Sequence, residues 1–375
     1  MKTPLRIILL ILALAMSTAA PAELAASAPS ANTPAAAPHE DLTTLPTGKG
    51  LPVVVHVGMV FQDITGLDDN DGNFVGTVDM RLRWEDPRLR YPASQTISGY
   101  AEYRDDGADA KMKQIWVPKV DMVNLQGAPA FQSTSVRIYP DGWVEIMRRV
   151  TGQFNITITT DAFPFDTQNL IVDAALRHEN NGEAALVFLT DDRDFSGMNK
   201  DINVGGWDPG LLTSEQYTIP GWYGEKMSGL RIGLNMTREA KSVVAPVFIP
   251  LLASLLIPLL TLWMNGIKED SYDSDTLALT NVLVGGIFAV IALNLTINSV
   301  FKSLASGDNV LTRLFGLNYA TLGMALLVIV TMFRFQLPKR LFGWYVEEEI
   351  FKVVLWAVPI LTFGFSAAFL MLAAT

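Results

Sequence analysis

The stretch Gly229-Leu230-Arg231-Ile232-Gly233-Leu234-Asn235-Met236-Thr237-Arg238-Glu239-Ala240-Lys241-Ser242-Val243-Val244-Ala245-Pro246-Val247-Phe248-Ile249 changes character part-way along. In its first half, Leu230, Ile232, Leu234 and Met236 alternate with other residues. A period of two puts these four side chains on one face of a half-buried β-strand. After Lys241 the alternation gives way to an unbroken apolar run. The junction therefore separates a strand-built region from a region made for a different solvent.

Downstream of the junction lie four apolar segments, near residues 243–264, 276–297, 314–333 and 351–373. Each is long enough, as a helix rising ~1.5 Å per residue, to cross ~30 Å of hydrocarbon. Upstream, from about Leu51 to Met236, short alternating runs recur. Val78, Met80, Leu82 and Trp84 form one apolar face, and Phe154, Ile156 and Ile158 another. Asp71-Gly72, Tyr139-Pro140-Asp141-Gly142 and Asn181-Gly182 punctuate them as turns. Many short strands with regular turns predict an antiparallel β-sandwich of the immunoglobulin-like kind.

The N-terminus reads as a secretory signal. Lys2 and Arg6 precede an apolar run from Ile7 to Ala15, and Ala20-Pro21-Ala22 offers a small-x-small cleavage site. The expected organisation is a signal peptide over 1–22, an Ala/Pro-rich flexible leader over 23–45, the sandwich over 46–240 and the four-span region over 241–375. A signal peptide puts the sandwich outside the inner membrane, in the periplasm or extracellular space. The loops carrying Lys268 and Arg334, Lys339 and Arg340 then lie inside, as the positive-inside tendency prefers. The outer loop carries Lys302 and Arg313, so the bias is modest.

Composition removes whole classes of function. The 375-residue chain has a formal charge of -10, no cysteine and 3 histidines. Net acidity argues against nucleic-acid binding. Without cysteine there is no disulfide, thiolate metal site or thiol nucleophile. No P-loop, GxGxxG, GxSxG or HExxH occurs, so neither an enzyme, a cofactor nor a metal is expected. No internal repeat of the kind transporters show is evident. Asp68, Asp69, Asn70 and Asp71 lack the full spacing and distal Glu of an EF-hand and read as a solvated turn.

Six stretches occur in an ordered series: Trp84-Glu85-Asp86-Pro87-Arg88-Leu89, Ile115-Trp116-Val117-Pro118, Tyr139-Pro140-Asp141-Gly142, Phe163-Pro164-Phe165-Asp166-Thr167-Gln168, Gly206-Trp207-Asp208, and Arg238 before the first span with Pro250 and Pro258 inside it. In that order, and followed by four spans, they resemble the bacterial members of the pentameric ligand-gated ion channel (Cys-loop receptor) family. The resemblance covers nearly all of the chain after the leader. The family's two loop cysteines fall near Ile156 and Leu170, an aliphatic pair that can close the loop base by packing. The resemblance implies a homopentamer in the membrane, with lipid around it and a small-molecule agonist whose identity is open. It places that agonist between subunits under a hairpin from about Trp222 to Gly229, with Tyr217, Trp222, Tyr223, Arg177 and Glu179 as candidates. The aromatic rings suit a cationic amine, and Arg177 equally suits a carboxylate. It also implies a coupling centre in which Asp69, the Phe163-Pro164-Phe165-Asp166 loop and Arg238 meet, with the loop from Phe301 to Asn309 receiving the push.

On the second span, Asp273, Thr276, Thr280, Leu283, Ile287, Val290 and Asn294 step by three and four along one helical stripe. The expected pore face is therefore acidic, then hydroxylic, then aliphatic, then amide. It leaves Gly285 and Gly286 for helix packing. An Asp ring at the inner mouth would favour monovalent cations, and aliphatic rings would close the path by dewetting. A one-step rotation would present Asp275, Leu279, Val282, Gly286 and Ala289 instead. The linker Lys268-Glu269-Asp270-Ser271-Tyr272-Asp273 lacks the Pro-Ala of anion-selective relatives. The function reads as a cation-selective channel opened by an agonist, proton or ion stimulus on the outer domain. An anion-selective channel and a non-conducting receptor of the same fold are the alternatives.

Overall fold

A computed structural model describes residues 41–375, apart from 222, 269, 270, 274, 305, 306 and 375. The signal peptide and most of the leader expected from sequence lie outside the described residues. Eleven strands make the N-terminal half: β1 (Val53–Asp68), β2 (Asn73–Glu85), β3 (Ala101–Arg104), β4 (Val120–Met122), β5 (Phe131–Ile138), β6 (Trp143–Asn155), β7 (Thr167–Leu176), β8 (Ala184–Val187), β9 (Gly197–Met198), β10 (Trp207–Pro220) and β11 (Lys226–Arg238). One sheet runs β3-β5-β6-β2-β1-β8, with β9 also on β1, and the other runs β10-β11-β7-β4. All these pairs are antiparallel except those of β1 with β8 and β9. This is the sandwich that the alternation predicted.

The inner faces follow that alternation. Val78, Met80, Leu82 and Trp84 are fully buried, and so are Leu230, Ile232, Leu234 and Met236 from the opposite sheet. Each such side chain contributes about 1.5–3 kcal/mol by leaving water. The face read as Phe154, Ile156 and Ile158 is strand only at its start. β6 ends at Asn155, and the chain then leaves the sheet toward the loop at 156–166. The Tyr139–Gly142 hairpin closes with Tyr139 N–H donating to Trp143 C=O at 2.8 Å. Gly142 has φ +90°, and a Cβ there would meet the Asp86 carbonyl oxygen at 2.8 Å. Only glycine suits both conditions. Gly142→Ala should lower the melting temperature of the purified protein by the equivalent of about 1–3 kcal/mol.

Among the described residues, four helices are long and apolar enough to cross a membrane: Ala240–Trp263, Thr276–Val300, Val310–Arg334 and Trp344–Ala373. The fourth begins earlier than its apolar pattern because its first turns carry Glu347, Glu348, Glu349 and Lys352. Lys352 sits 2.9 Å from both Glu348 and Glu349, the i,i+4 and i,i+3 pairings that support a polar helix start. The first span contains a π-turn at Val244–Phe248, which includes Pro246 and is followed by Pro250. A short hairpin, β12 (Gly266–Lys268) with β13 (Ser271–Asp273), links the first and second spans.

Candidate functional site

The last residue of β11 is the hinge between the two regions. Arg238 donates from Nε to Asp166 Oδ1 at 2.8 Å and from Nη2 to Asp166 Oδ2 at 3.1 Å. The same Nη2 reaches Asp69 Oδ2 at 2.8 Å. The structure thus brings Asp69, Asp166 and Arg238 together from three elements. Planar guanidinium and carboxylate match as two parallel hydrogen bonds, which fixes direction as well as distance. The Arg238 side chain is only 6% exposed and that of Asp166 2%. Burial works to lower the guanidinium pKa, but the hydrogen bonds and charges of Asp166 and Asp69 outweigh it and hold it above its ordinary value.

The loop bearing Asp166 is itself braced. Gln168 donates to Asp166 Oδ2 at 2.6 Å and to Thr159 C=O at 2.7 Å, and accepts from Thr159 N–H at 3.0 Å. Arg238 lies over the rings of Trp207, at 4.1 Å, and Phe163, at 5.2 Å. Phe163 is fully buried and carries the contact into the membrane region. Its ring stacks 6.1 Å from Phe248 of the first span and lies 6.0 Å from Phe301, just beyond the second. On the other side, Asn70 donates to the carbonyl of Val300, the last residue of the second span, at 3.1 Å. Phe165 faces outward, and with the buried Pro164 it lines an apolar groove of about 480 Å³ shared with Phe248 and Met371. Sequence reasoning missed Trp207 as the lid on Arg238 and Phe248 as the first span's receiver. Nothing in a linear pattern pairs an aromatic at a strand's start with a guanidinium at the end of its neighbour. Their cross-strand register supplies that link.

The candidate ligand residues do not converge. Tyr217 donates its hydroxyl to Asp173, and Arg231 lies 4.1 Å above its ring. Burial and the Asp173 carboxylate push its phenol pKa above the ordinary range. Tyr223 is exposed in the β10–β11 turn. Trp222 lies outside the described residues. Arg177 pairs with Asp121, and Glu179 keeps one carboxylate oxygen buried with no hydrogen-bond partner among the described residues. With Arg148, Arg177 also lines a cavity of about 360 Å³ that includes Asp109, Lys113, Lys119 and Asp121.

The second span differs from its expected orientation. Leu283 and Val290 are 0% exposed, and Thr276, Thr280, Ile287 and Asn294 are half-buried within the subunit. This stripe faces the first and third spans. Asn294 donates to the Tyr319 hydroxyl of the third span at 3.3 Å. A Cβ on Gly286 would meet Ile257 of the first span at 3.0 Å and Leu322 of the third at 3.2 Å. Gly286 is three residues from Leu283 and four from Val290, so a helix crossing at that glycine turns both inward. The one-step rotation fits only in part: Asp275, Val282 and Ala289 are exposed, whereas Leu279 and Gly286 are buried. The open face carries Leu277, Asn281, Val284, Phe288, Ile291 and Leu295, again stepping by four and three. Phe288 is 66% exposed and Leu295 67%. Asp273 lies in β13, and its side chain is outside the described residues. Asp275 caps the helix by accepting from Leu277 and Ala278 N–H at 3.1 Å.

A family model for the neurotransmitter-gated ion-channel ligand-binding domain matches residues 41–238. The chain belongs to this family of ligand-gated ion channels. Similar proteins include a proton-gated ion channel of Gloeobacter violaceus, 22% identical over 249 residues, which are 66% of this chain and 64% of that protein. Gamma-aminobutyric acid receptor subunit rho-3 of Homo sapiens is 22% identical over 235 residues, 60% of this chain and 48% of the receptor subunit. The chain thus spans less than two thirds of the length of these relatives. The four apolar helices and the ligand-binding fold make it a multi-pass membrane protein of a family that forms pentamers and is not enzymatic.

Proposed function

We propose that this chain is one subunit of a homopentameric, cation-selective channel, opened by a stimulus at the outer β-sandwich. The observation that carries the reading is the unbroken contact from the sandwich to the second span, through Arg238, Asp166, Phe163 and Phe301 on one side and Asn70 with Val300 on the other. Asp69, Asp166 and Arg238 act as its coupling centre. Leu277, Asn281, Val284, Phe288, Ile291 and Leu295 line the conduction path in place of the stripe expected from sequence. The second span keeps one face uncovered by its own subunit, running from Leu277 to Leu295. An exposed helix face with an amide among aliphatic and aromatic residues suits a hydrophobic gate. Asp273 and Asp275 at the inner end supply the negative field that draws cations. The acidic inner linker favours this over an anion channel.

Current through the purified protein in a planar bilayer under asymmetric KCl tests the reading, across a pH series and a panel of amines and carboxylates. Reversal near the K⁺ potential is the expected result. Reversal near the Cl⁻ potential overturns the selectivity and keeps the channel.

For the stimulus, the covered ring of Tyr217 disfavours an amine. The cavity lined by Arg148, Arg177, Lys113 and Lys119, whose charge Asp109 and Asp121 offset in part, favours a carboxylate, with protons as the competing stimulus. If a carboxylate opens the channel, Arg177→Ala should raise its half-maximal concentration by about tenfold or more, the loss expected for one charge-assisted hydrogen bond. An unchanged dose–response curve would remove Arg177 from the site.

A further inference from the structure

Tyr272 holds the linker between the first and second spans to the rest of the membrane region. Tyr272 sits in β13, next to Asp273 and just before the second span. Its ring centroid lies 4.6 Å from Phe333 at the end of the third span. It lies 5.1 Å from Trp344 and 5.3 Å from Phe351 of the fourth. Phe333 and Phe351 close the socket with an edge contact at 5.4 Å. Tilted and edge-on pairs of this kind each add about 0.5–1.5 kcal/mol beyond area burial. By contrast Ile267 on the paired strand β12 is exposed, and so is Ser271.

The socket also contains an unresolved polar account. Glu347, one turn into the fourth span, is fully buried, and neither carboxylate oxygen has a hydrogen-bond partner among the described residues. The Tyr272 hydroxyl is buried and unpartnered in the same sense. Burial, with the charges of Glu347 and Glu348, holds this phenol above its ordinary pKa, so it stays an O–H donor. Lys339 places its Nζ 5.0 Å above the Trp344 ring, and its charge and backbone N–H both act on the Glu347 carboxylate. The Tyr272 hydroxyl lacks an acceptor, and the buried Glu347 carboxylate has acceptor capacity to spare in the same socket. One hydrogen bond, direct or through a single water, would satisfy both.

We infer that Tyr272 is the positioning residue of the pore's inner mouth: its ring, gripped by Phe333, Trp344 and Phe351, and its hydroxyl, donating to Glu347, tie the linker that carries Asp273 to the inner ends of the third and fourth spans. Its consequence for conduction rests on the channel reading. The anchor itself can be read without any current.

The sequence has no cysteine, so Ile267→Cys accepts a single spin label on the linker. Pulsed EPR between subunits of the otherwise native protein should give a narrow distance distribution. Tyr272→Ala should broaden and shift it, and Tyr272→Phe should restore its width. A distribution unchanged by Tyr272→Ala overturns the anchor. The hydroxyl's part is read by thermal melting. Glu347→Leu should lower the melting temperature in the native background, where it removes a partnered acid. In the Tyr272→Phe background it should raise it or leave it unchanged, because there it removes an orphaned one. The same shift in both backgrounds would overturn the pairing. Silence in the bilayer would count against the channel reading alone, leaving both readouts intact.

Discussion

Arg238→Gln should lose stimulus-evoked current while still reaching the membrane, and the purified variant should melt earlier than wild type. The substitution leaves Asp166, 2% exposed, without its bidentate partner. It also leaves Asp69 without its 2.8 Å contact. Removing one partner of a buried pair typically costs about 3–5 kcal/mol, because the remaining charge stays desolvated. Gln168 can still donate to Asp166, so the cost should fall at the low end of that range. Arg238→Lys separates charge from geometry: one ammonium can meet one carboxylate but cannot span both with a planar fork. It should recover part of the melting temperature and little of the coupling. A variant Arg238→Gln that melts and gates like wild type would reduce the three residues to surface charges and remove the proposed centre.

The meeting of Asp69, Asp166 and Arg238 was legible in the sequence through the family resemblance, which placed each of them in a turn or at a strand end. Legibility of the sandwich had a different origin: its faces alternate strictly, and a one-residue slip would expose Trp84 or Leu234. The spans were legible from length alone. The orientation of the second span was not, since a membrane helix can be apolar all round and polarity then says little about which side meets a neighbour. Thr276 and Thr280 looked like pore hydroxyls, yet Thr280 donates back to the Thr276 carbonyl at 2.7 Å and needs no ion or water. The informative residue was Gly286, whose missing side chain lets the first and third spans approach. Reading it as packing while assigning Leu283 and Val290 to the pore placed one helical face in two environments. The ligand region failed for another reason. The rings were visible in the sequence, but Arg231 and Asp173 come to Tyr217 only through the register of β11 against its two neighbours.

Phe288→Ala and Leu283→Ala should behave oppositely, and the pair decides the pore face. Phe288 is 66% exposed on the open side of the second span. Five such rings around an axis would form an apolar constriction, and water leaves a narrow apolar neck readily. Truncation to alanine widens and wets that neck, so Phe288→Ala should conduct without stimulus at little cost in melting temperature. Leu283 is 0% exposed, packed among the helices of its own subunit. Truncating it creates a cavity there, at about 2–5 kcal/mol, and leaves the conduction path untouched. Leu283→Ala should therefore melt earlier and stay closed at rest. If Leu283→Ala instead leaks current while Phe288→Ala stays silent, the helix in the assembled channel is rotated toward the stripe first read from the sequence, and the subunit's inward packing at Gly286 must loosen when five copies meet.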